Sequence, residues 1–358
     1  MISYLLHKIM YALLTLFGVV TVIFLLFNVL PGDPAKMMLG QNQSAEQVEA
    51  VRQKYGFDKP KTTQYFYYLN DLLPISFHAK NEADYTFLKP GKYAATPLFS
   101  VGNTTIVLKL PYLRESFTKQ GKRVSEVIGE TLPNTAILAV SAITIALFLG
   151  LILGVVSAIY KDTWLDKGIQ IVSTVGMSVP SFFSAILFAW FFGFVLHKYT
   201  KLEMTGSLYE LDDYGQAMHI QWKNLILPAI VLGIRPLAVV IQLMRNSLLE
   251  VYNQDFIRTA RAKGLSEYQI IRKHAVKNAL NPVVTAISGW FASMLAGAVF
   301  VEYIFGWNGL GKEIVNALNT LDLPVIMGSV LIIAVIFIII NIFVDIIYTW
   351  LDPKVALE

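Results

Sequence analysis

A glycine-rich run near the carboxyl end has the clearest spacing for chemistry in this chain. Gly306 to Lys312 matches the G-x-x-x-x-G-K pattern of a phosphate-binding loop, in which backbone N–H groups surround phosphate oxygens. However, Glu313 follows where a Ser or Thr would hold magnesium, and an apolar helix-length stretch precedes the run where a strand is needed. We therefore expect no nucleotide to bind here.

Other residue types that support catalysis are absent or scattered. The chain has no cysteine, which excludes disulfides, thiolate metal ligands and thiol nucleophiles. Its five histidines show no metal-ligand spacing, and the sequence contains neither a nucleophile elbow nor a paired-carboxylate catalytic site. We predict a chain that is not an enzyme and that holds no cofactor or metal of its own. The histidines are His7, His78, His197, His219 and His274.

Arg235 lies near the middle of a long apolar stretch and is followed by Pro236. A charged side chain at that depth in a bilayer is costly, so it is a candidate for function by default. Arg235 could line a water-filled path and bind a carboxylate there. Alternatively, it forms a structural pair, with Asp345 of the last apolar stretch or with a partner subunit.

Composition indicates that the elements positioning these residues are membrane helices. The chain is 55% hydrophobic and 15% charged, whereas soluble domains are about 25% charged. A helix needs about 20 apolar residues to cross a bilayer. We predict an all-α membrane protein with about six transmembrane helices. The predicted spans are Ile9 to Leu30, Thr135 to Ile159, Ile169 to Leu196, Leu225 to Met244, Val283 to Val301 and Val325 to Trp350.

The distribution of charge orients these spans, because cytoplasmic loops carry an excess of Lys and Arg. With a cytoplasmic amino terminus, the inner loops hold most of the basic residues and the short outer loops are rich in Asp and Glu. We therefore place both termini in the cytoplasm. Topology then explains the net charge of +4, and no nucleic-acid partner is expected.

A polar stretch, residues 31–133, separates the first two spans and is predicted to form a small extracytoplasmic insertion. Ser44 and Gln47 have the spacing of a capping box, and Tyr65 to Leu73 could form a second short helix. Thr105 to Leu110 is β-prone and follows a Gly-Asn turn signal. We divide the chain into a first transmembrane helix at 1–30, the insertion at 31–133 and a five-helix core at 134–358.

The basic segment 245–282, between the fourth and fifth spans, is predicted to form a helix, a break and a second helix. Gly264 marks the break, because glycine adopts the left-handed conformation that ends a helix. Phe256, Ile257 and Ala260 share one face of the first helix, and neighbouring small residues leave room for another surface. On these grounds the segment is either a positively charged anchor or a docking site for a partner.

The same segment resembles the conserved cytoplasmic loop, often called the EAA loop, of permease subunits in binding-protein-dependent ABC importers. Arg258 stands where that loop has Glu, a departure typical of the dipeptide and oligopeptide permease branch. The resemblance implies that this helix docks into a cleft on a cytoplasmic ATPase. The residues to which it assigns ATPase coupling are Arg258, Thr259, Ala260, Arg261, Ala262, Lys263, Gly264 and Leu265.

Ordered matches to that family extend over most of the chain, whereas the region from about Ile75 to Gly121 is longer than its counterpart. Because of that departure, the resemblance does not predict the surface on which a binding protein would dock in this region. The matching runs are Leu30 to Pro34, Thr131 to Thr135, Ser178 to Phe182, Leu227 to Ala229, Val301 to Gly306, Gly309 to Gly311, Asp322 to Pro324 and Asp352-Pro353.

The resemblance implies a multi-pass permease of a bacterial inner membrane that imports dipeptides, oligopeptides or similar small solutes. It would pair with a homologous second permease, two cytoplasmic ATPase subunits that bind ATP and magnesium, an extracytoplasmic solute-binding protein and membrane lipid. Two alternatives come from other classes of protein. An ion-gradient-driven transporter would need an inverted repeat and several intramembrane carboxylates, and a membrane-anchored sensor or assembly factor would need no ATPase.

Overall fold

The computed structural model describes residues 2–29, 33–39, 44–82, 84–89, 91–212 and 217–351. The predicted turn around Pro31 and Gly32 and the terminal Asp352-Pro353 lie outside them. The α-helices are α1 Ile2–Val29, α2 Pro34–Leu39, α3 Ala45–Tyr55, α4 Lys61–Leu72, α5 Val124–Ile159, α6 Trp164–Ser178, α7 Ser181–Phe188, α8 His197–Thr200, α9 Lys223–Val251, α10 Asp255–Ala262, α11 Glu267–Ile270, α12 Val276–Ala279, α13 Asn281–Gly297, α14 Val299–Phe305, α15 Leu310–Thr320 and α16 Leu323–Leu351. Two π-helical turns, Ala189–Val195 and Ile271–Ala275, follow α7 and α11. The strands are β1 Ile75–Ala79, β2 Ala95–Val101, β3 Thr104–Lys109, β4 Tyr209–Leu211 and β5 Met218–Ile220.

Long apolar helices dominate the fold, as predicted. The described residues include four helices long and apolar enough to cross a membrane, or five if one bent pair counts as a single span. The four correspond to the predicted first, second, fourth and sixth spans. The chain is therefore mainly helical with several candidate membrane spans. The four helices are His7–Phe27, Val124–Ile159, Lys223–Val251 and Leu323–Val344.

The predicted third span, Ile169 to Leu196, is bent at Pro180, a residue that favours a bend within a helix. The chain bends by 108° between α6 and the helical segment Ser181–Val195. Pro180 lies at the break and precedes α7 as its N-cap residue. Proline has no backbone N–H and its ring clashes with the preceding helical turn, so α6 ends before it and a new helix begins after it.

The predicted fifth span, Val283 to Val301, is also interrupted. Its main part is α13, which has 17 residues and is therefore about 26 Å long, somewhat less than the roughly 30 Å of a bilayer core. The short α14 follows and ends at Gly306, where φ is +68°. Helices α13 and α14 are therefore two parts of a broken helix.

The chain divides into two compact units, and one of them comprises residues 9–130 and 316–334. It contains an antiparallel sheet of order β1-β3-β2, in which β2 and β3 join at Gly102 with φ +56°. The capping box of Ser44 with Gln47 is present at the start of α3. The predicted second helix and β-prone run are confirmed as α4 and β3, so the local signals in this stretch were sufficient.

Asp322, from a motif that matched the family, is buried in this same unit. Its carboxylate accepts hydrogen bonds from the backbone N–H groups of Phe117 and Thr118, at 3.1 and 3.2 Å, and from the hydroxyls of Ser116 and Thr118. The motif therefore joins the segment before α5 to the start of α16.

The other unit comprises residues 1–8, 131–315 and 335–358, and close helix packing forms its core. Gly150 and Gly154 lie one turn apart on α5 and face α9. A Cβ at Gly154 would lie 2.7 Å from the Met244 Cβ, and one at Gly150 would lie 2.6 Å from the Val240 Cγ1. These two positions therefore require glycine because the α5 and α9 backbones approach so closely, as in the G-x-x-x-G motifs of membrane helix pairs.

Candidate functional site

Two short helices with a glycine turn between them lie in the 245–282 segment. After α10, Gly264 has φ +76°, the left-handed conformation that favours glycine. Ser266 then caps α11: its hydroxyl accepts the Gln269 N–H, and the Gln269 side chain accepts the Ser266 N–H. The predicted helix, break and helix are confirmed. We call residues 255–270 the elbow.

The inner face of the elbow is anchored in a hydrophobic cluster. Ile257 and Ala260 are buried in the same cluster as Met244 of α9. Phe256 was predicted to share one face with them but is 42% exposed. Consecutive residues of an α-helix point about 100° apart, so the inward direction of Ile257 turns Phe256 toward the edge.

The outer face of the elbow is open and combines small with basic side chains. Of the eight predicted coupling residues, Ala260 is buried and Leu265 packs against the hydrophobic cluster. No heavy atom lies within 4 Å of the position that a Cβ at Gly264 would take, so the backbone there can be approached closely. The exposed residues are Arg258, Thr259, Arg261, Ala262, Lys263 and Gly264.

Arg261 connects the two helices of the elbow. Its Nε donates to Glu267 Oε1 at 2.8 Å and its Nη2 to Oε2 at 3.4 Å, and the guanidinium lies 5.8 Å from the Tyr252 ring centroid. Arg258 instead bonds to Asp255 on its own helix, at 3.3 Å. Both ion pairs are exposed and contribute at most about 1 kcal/mol to stability. Their effect is to orient the side chains around the glycine turn.

A buried ion pair at the end of α9 was missed by the sequence analysis. Arg245 donates from Nε and Nη2 to the two carboxylate oxygens of Asp166, at 2.8 and 2.6 Å. The Ser157 hydroxyl donates to the same carboxylate at 2.5 Å. These contacts join α5, α6 and α9 shortly before the chain continues from α9 into the elbow. Opposite charges at the adjoining ends of the predicted third and fourth spans were the signal that could have revealed the pair.

Arg235 lines a small cavity of about 110 Å³ between α6, α7, α9 and α13. Ser181, Ser184 and Ser293 contribute hydroxyls to the lining, and the described lining residues include no carboxylate. Within the described part of the chain, the Arg235 Nε is buried and has no hydrogen-bond partner. The side chain of Asp345, the alternative partner, lies outside that part. The arginine thus faces a polar space that could hold an anionic group.

The glycine-rich run 306–312 folds around a buried carboxylate. The N–H groups of Gly311 and Lys312 donate to Glu302 Oε2 at 2.7 and 3.1 Å. Burial raises the pKa of Glu302, one residue beyond the predicted fifth span, to about 7, although these N–H donors oppose the rise. Lys312 Nζ contacts the Gly306 carbonyl and the Asn308 side chain, at 3.0 and 2.8 Å. Amides that a phosphate-binding loop would offer to a nucleotide are therefore bonded to Glu302.

Two runs that matched the family are in direct contact. The buried Trp307 donates from Nε1 to the Asn134 carbonyl at 3.0 Å, and the Asn134 side-chain amide donates to the Asn308 carbonyl at 2.7 Å. The Leu310 N–H donates to the Thr135 hydroxyl at 2.8 Å. Residues far apart in sequence thus fix the loop after α14 to α5.

Comparison with known proteins identifies the family of this chain. Residues 150–357 match the family model described as binding-protein-dependent transport system inner membrane component, and residues 1–85 match the model of the N-terminal part of such proteins. A putative peptide transport system permease protein of Brucella abortus is 34% identical over the full length of both chains. The dipeptide transport system permease protein DppB of Alkalihalophilus pseudofirmus is 30% identical over 99% of each chain.

Among solved structures, an inward-facing form of the MetNI methionine ABC transporter is similar, with 18% identity and a TM-score of 0.49. The match covers 62% of this chain and 94% of that one. From the family model, which spans more than half of the sequence, and the full-length relatives, the chain belongs to the binding-protein-dependent transport system inner membrane components, the permease subunits of ABC importers.

Proposed function

We propose that this permease imports short peptides or chemically similar small solutes. Its full-length relatives are named as peptide and dipeptide transport system permeases. The Arg235 cavity gives this cargo a physical rationale, because a peptide carries a carboxylate that could bind to the Arg235 Nε, which is buried and without a hydrogen-bond partner among the described residues.

The proposed topology has six spans, with both termini in the cytoplasm of a bacterial cell and the protein in its inner membrane. It counts the bent α6–α7 pair as the third span and the short α13 as the fifth. Residues 1–30 are then the first span, 31–133 an extracytoplasmic insertion and 134–358 the permease core. On this topology the elbow faces the cytoplasm.

The proposed complex pairs this chain with a homologous second permease and two cytoplasmic ATPase subunits. The ATPases bind ATP and magnesium, and this chain is a non-catalytic subunit without a cofactor. An extracytoplasmic binding protein delivers the cargo, and lipid surrounds the spans. The proposed mechanism has the ATPases close around the exposed face of the elbow, which moves the spans between outward-open and inward-open arrangements.

The observation that carries the proposal is the geometry of the elbow. Ile257 and Ala260 fix it to a packed hydrophobic cluster, while Thr259, Ala262 and Gly264 leave the opposite face small enough for a partner to approach the backbone. A simple positively charged anchor needs neither feature. A docking surface needs both, because force must pass from the partner into the helices behind it.

Reconstitution tests this function. Proteoliposomes are prepared with this chain, its sister permease and the ATPases, and uptake of a labelled dipeptide is measured with and without ATP, in the presence of the binding protein. We expect uptake only when ATP and ATPases are both present. Equal uptake without the ATPases, driven by an ion gradient, would contradict the proposal and favour a secondary transporter.

A further inference from the structure

The unit formed by residues 9–130 and 316–334 contains a cavity of about 450 Å³ that the proposed coupling mechanism does not use. Its walls come from the end of α3, from the segment between β1 and β2, and from the segment after β3. The volume falls in the range of about 300 to 1,000 Å³ that is typical of small-molecule sites in proteins.

One wall of the cavity is aromatic. Tyr55 and Phe57 stack with ring centroids 5.9 Å apart, and Phe117 meets both rings edge-on, at 6.4 and 6.2 Å. All three side chains line the cavity and are only partly buried. They therefore present an apolar surface that could receive an aromatic or branched side chain.

A partly buried cation, Lys92, lies in the same cavity. Its ammonium nitrogen is 4.4, 4.8 and 5.5 Å from the ring centroids of Tyr85, Tyr93 and Tyr112. Within the described part of the chain, these ring faces are the contacts that the structure gives this ammonium. Burial lowers the pKa of Lys92, and the positive charges of Arg114 and Lys89 act in the same direction, while Asp71 and Glu115 oppose the shift.

The nearby acidic groups attract Lys92, but burial outweighs their attraction, and Asp71 bonds directly to other residues. Asp71 is buried and accepts from Arg114 Nε at 2.9 Å and from the Tyr85 and Tyr93 hydroxyls at 3.1 Å each. Glu115 also attracts Lys92, but burial outweighs this attraction.

Within the described part of the chain, the other acidic residues that line the cavity do not form an ion pair with the Lys92 ammonium either. Asp84 accepts from the backbone N–H and the hydroxyl of Thr86, at 2.8 and 2.7 Å. Lys54, Lys89 and Glu82 are exposed at the rim, where solvent and salt screen their charges. A carboxylate brought into the cavity could therefore pair with a cation that is partly shielded from water.

We propose that this cavity binds a small solute with a free carboxylate and an aromatic or branched apolar side chain. The carboxylate lies against Lys92 and the side chain against Tyr55, Phe57 and Phe117. The carboxyl-terminal residue of a peptide supplies both groups, and in that form the inference rests on the proposed function. It adds a solute site in the insertion, separate from the Arg235 cavity.

A matched pair of probes tests the site. The purified full-length chain in lipid nanodiscs is dialysed to equilibrium against radiolabelled N-acetyl-L-phenylalanine or its neutral amide, and empty nanodiscs measure uptake by lipid. We expect saturable binding of the acid, at one site per chain, and at least tenfold weaker binding of the amide. No saturable binding, or equal binding of acid and amide, would overturn the proposal.

Two variants locate the binding. Lys92→Met removes the charge but keeps an unbranched side chain against the tyrosines, and we expect it to weaken binding of the acid at least tenfold. Phe117→Leu tests the aromatic wall and should weaken binding severalfold. Lys80→Met removes a lysine whose ammonium bonds to the Gly102 carbonyl outside the cavity, and it should bind like the wild type. Wild-type binding by Lys92→Met would overturn the assignment.

Uptake by the reconstituted complex separates this inference from the proposed function. We expect Lys92→Met to retain ATP-dependent uptake of a saturating dipeptide, because Lys92 lies outside the elbow and the Arg235 cavity. Saturable probe binding without ATP-dependent uptake would count against the transport proposal alone. ATP-dependent uptake without probe binding would count against this site alone.

Discussion

The guanidinium of Arg245 holds the carboxylate of Asp166 through two hydrogen bonds, of 2.8 and 2.6 Å. Two parallel bonds between planar groups fix direction as well as distance. Because Arg245 lies near the end of α9 and Asp166 in the first turn of α6, the pair holds these helices together just before the elbow. We expect motion of the elbow to be passed to both helices.

Substituting Asp166→Asn should destabilise the protein. The change leaves Arg245 charged and half-buried without its ionic partner, and breaking a buried pair in this way costs about 3 to 5 kcal/mol. A thermal unfolding scan of the purified protein measures the loss. Asp162→Asn is the control. The Asp162 side chain is exposed, and its ion pair with the exposed Lys161 is weak because the charged atoms are as far as 4.0 Å apart. Equal midpoints for the wild type and Asp166→Asn would show that the pair adds nothing.

Alanine should have opposite effects at two helical glycines, because one of them lies where α5 and α9 approach closely and the other has open space around it. Gly154→Ala should destabilise the protein, since the new Cβ would lie 2.7 Å from the Met244 Cβ. Gly168→Ala, where a Cβ meets nothing within 4 Å, should stabilise it by up to about 1 kcal/mol, because alanine favours a helix over glycine. Thermal midpoints that move in the same direction would contradict the packing.

Glu302 predicts a pH dependence of stability. Its pKa is raised to about 7 in the folded protein, above the ordinary value of 4.5. The folded state therefore binds this proton more tightly than the unfolded state does. The stabilisation of the folded state by this proton is fully present below pH 4.5 and is lost as the pH rises through about 7. Glu302→Gln imitates the protonated acid, so its stability relative to the wild type should increase by on the order of 3 kcal/mol between pH 4.5 and 8.

Thermal midpoints of the wild type and Glu302→Gln across that pH range measure the difference. The exposed Glu203→Gln controls for a general loss of negative charge and should show a constant offset. A constant offset for Glu302→Gln as well would mean that Glu302 is ionised throughout.

Gly264 predicts a separation of ATP hydrolysis from uptake. A valine there would be strained at φ +76°, although space for its side chain is available. The turn would therefore change its direction without a steric clash. In the reconstituted complex we expect Gly264→Val to insert normally and to reduce the amount of dipeptide imported per ATP at least tenfold. An unchanged ratio would show that the glycine turn does not aim the elbow.

Local signals in the sequence predicted local structure well. The capping box at Ser44 and the glycine break at Gly264 both formed, because each depends on backbone bonds to residues a few positions away. The long apolar runs predicted four of the candidate spans, because the hydrophobicity of about 20 consecutive residues is also a local property of the sequence. Pro180 is a further local signal, because a proline inside a predicted span favours a bend, and the chain bends by 108° there.

Contacts between distant residues could not be predicted in the same way. Asp166 and Arg245 are 79 positions apart, and nothing local to either residue names its partner. The glycine-rich run was correctly judged a poor nucleotide site, but only the fold showed its amides bonded to Glu302. The role of Arg235 depends on what shares its cavity, and its spacing in the sequence carries no such information.

On the proposed mechanism, an ATPase subunit binds the exposed face of the elbow. Because the chain has no cysteine, a single substitution creates a unique thiol for cross-linking. Ala262→Cys places it on the exposed face of α10, and Met218→Cys places an equally accessible control on β5. With a short bifunctional maleimide and the assembled complex, we expect Ala262→Cys to cross-link to the ATPase and Met218→Cys to give no such product. If Ala262→Cys gives no cross-link to the ATPase in a complex that imports dipeptide, the elbow is not the surface that binds the ATPase.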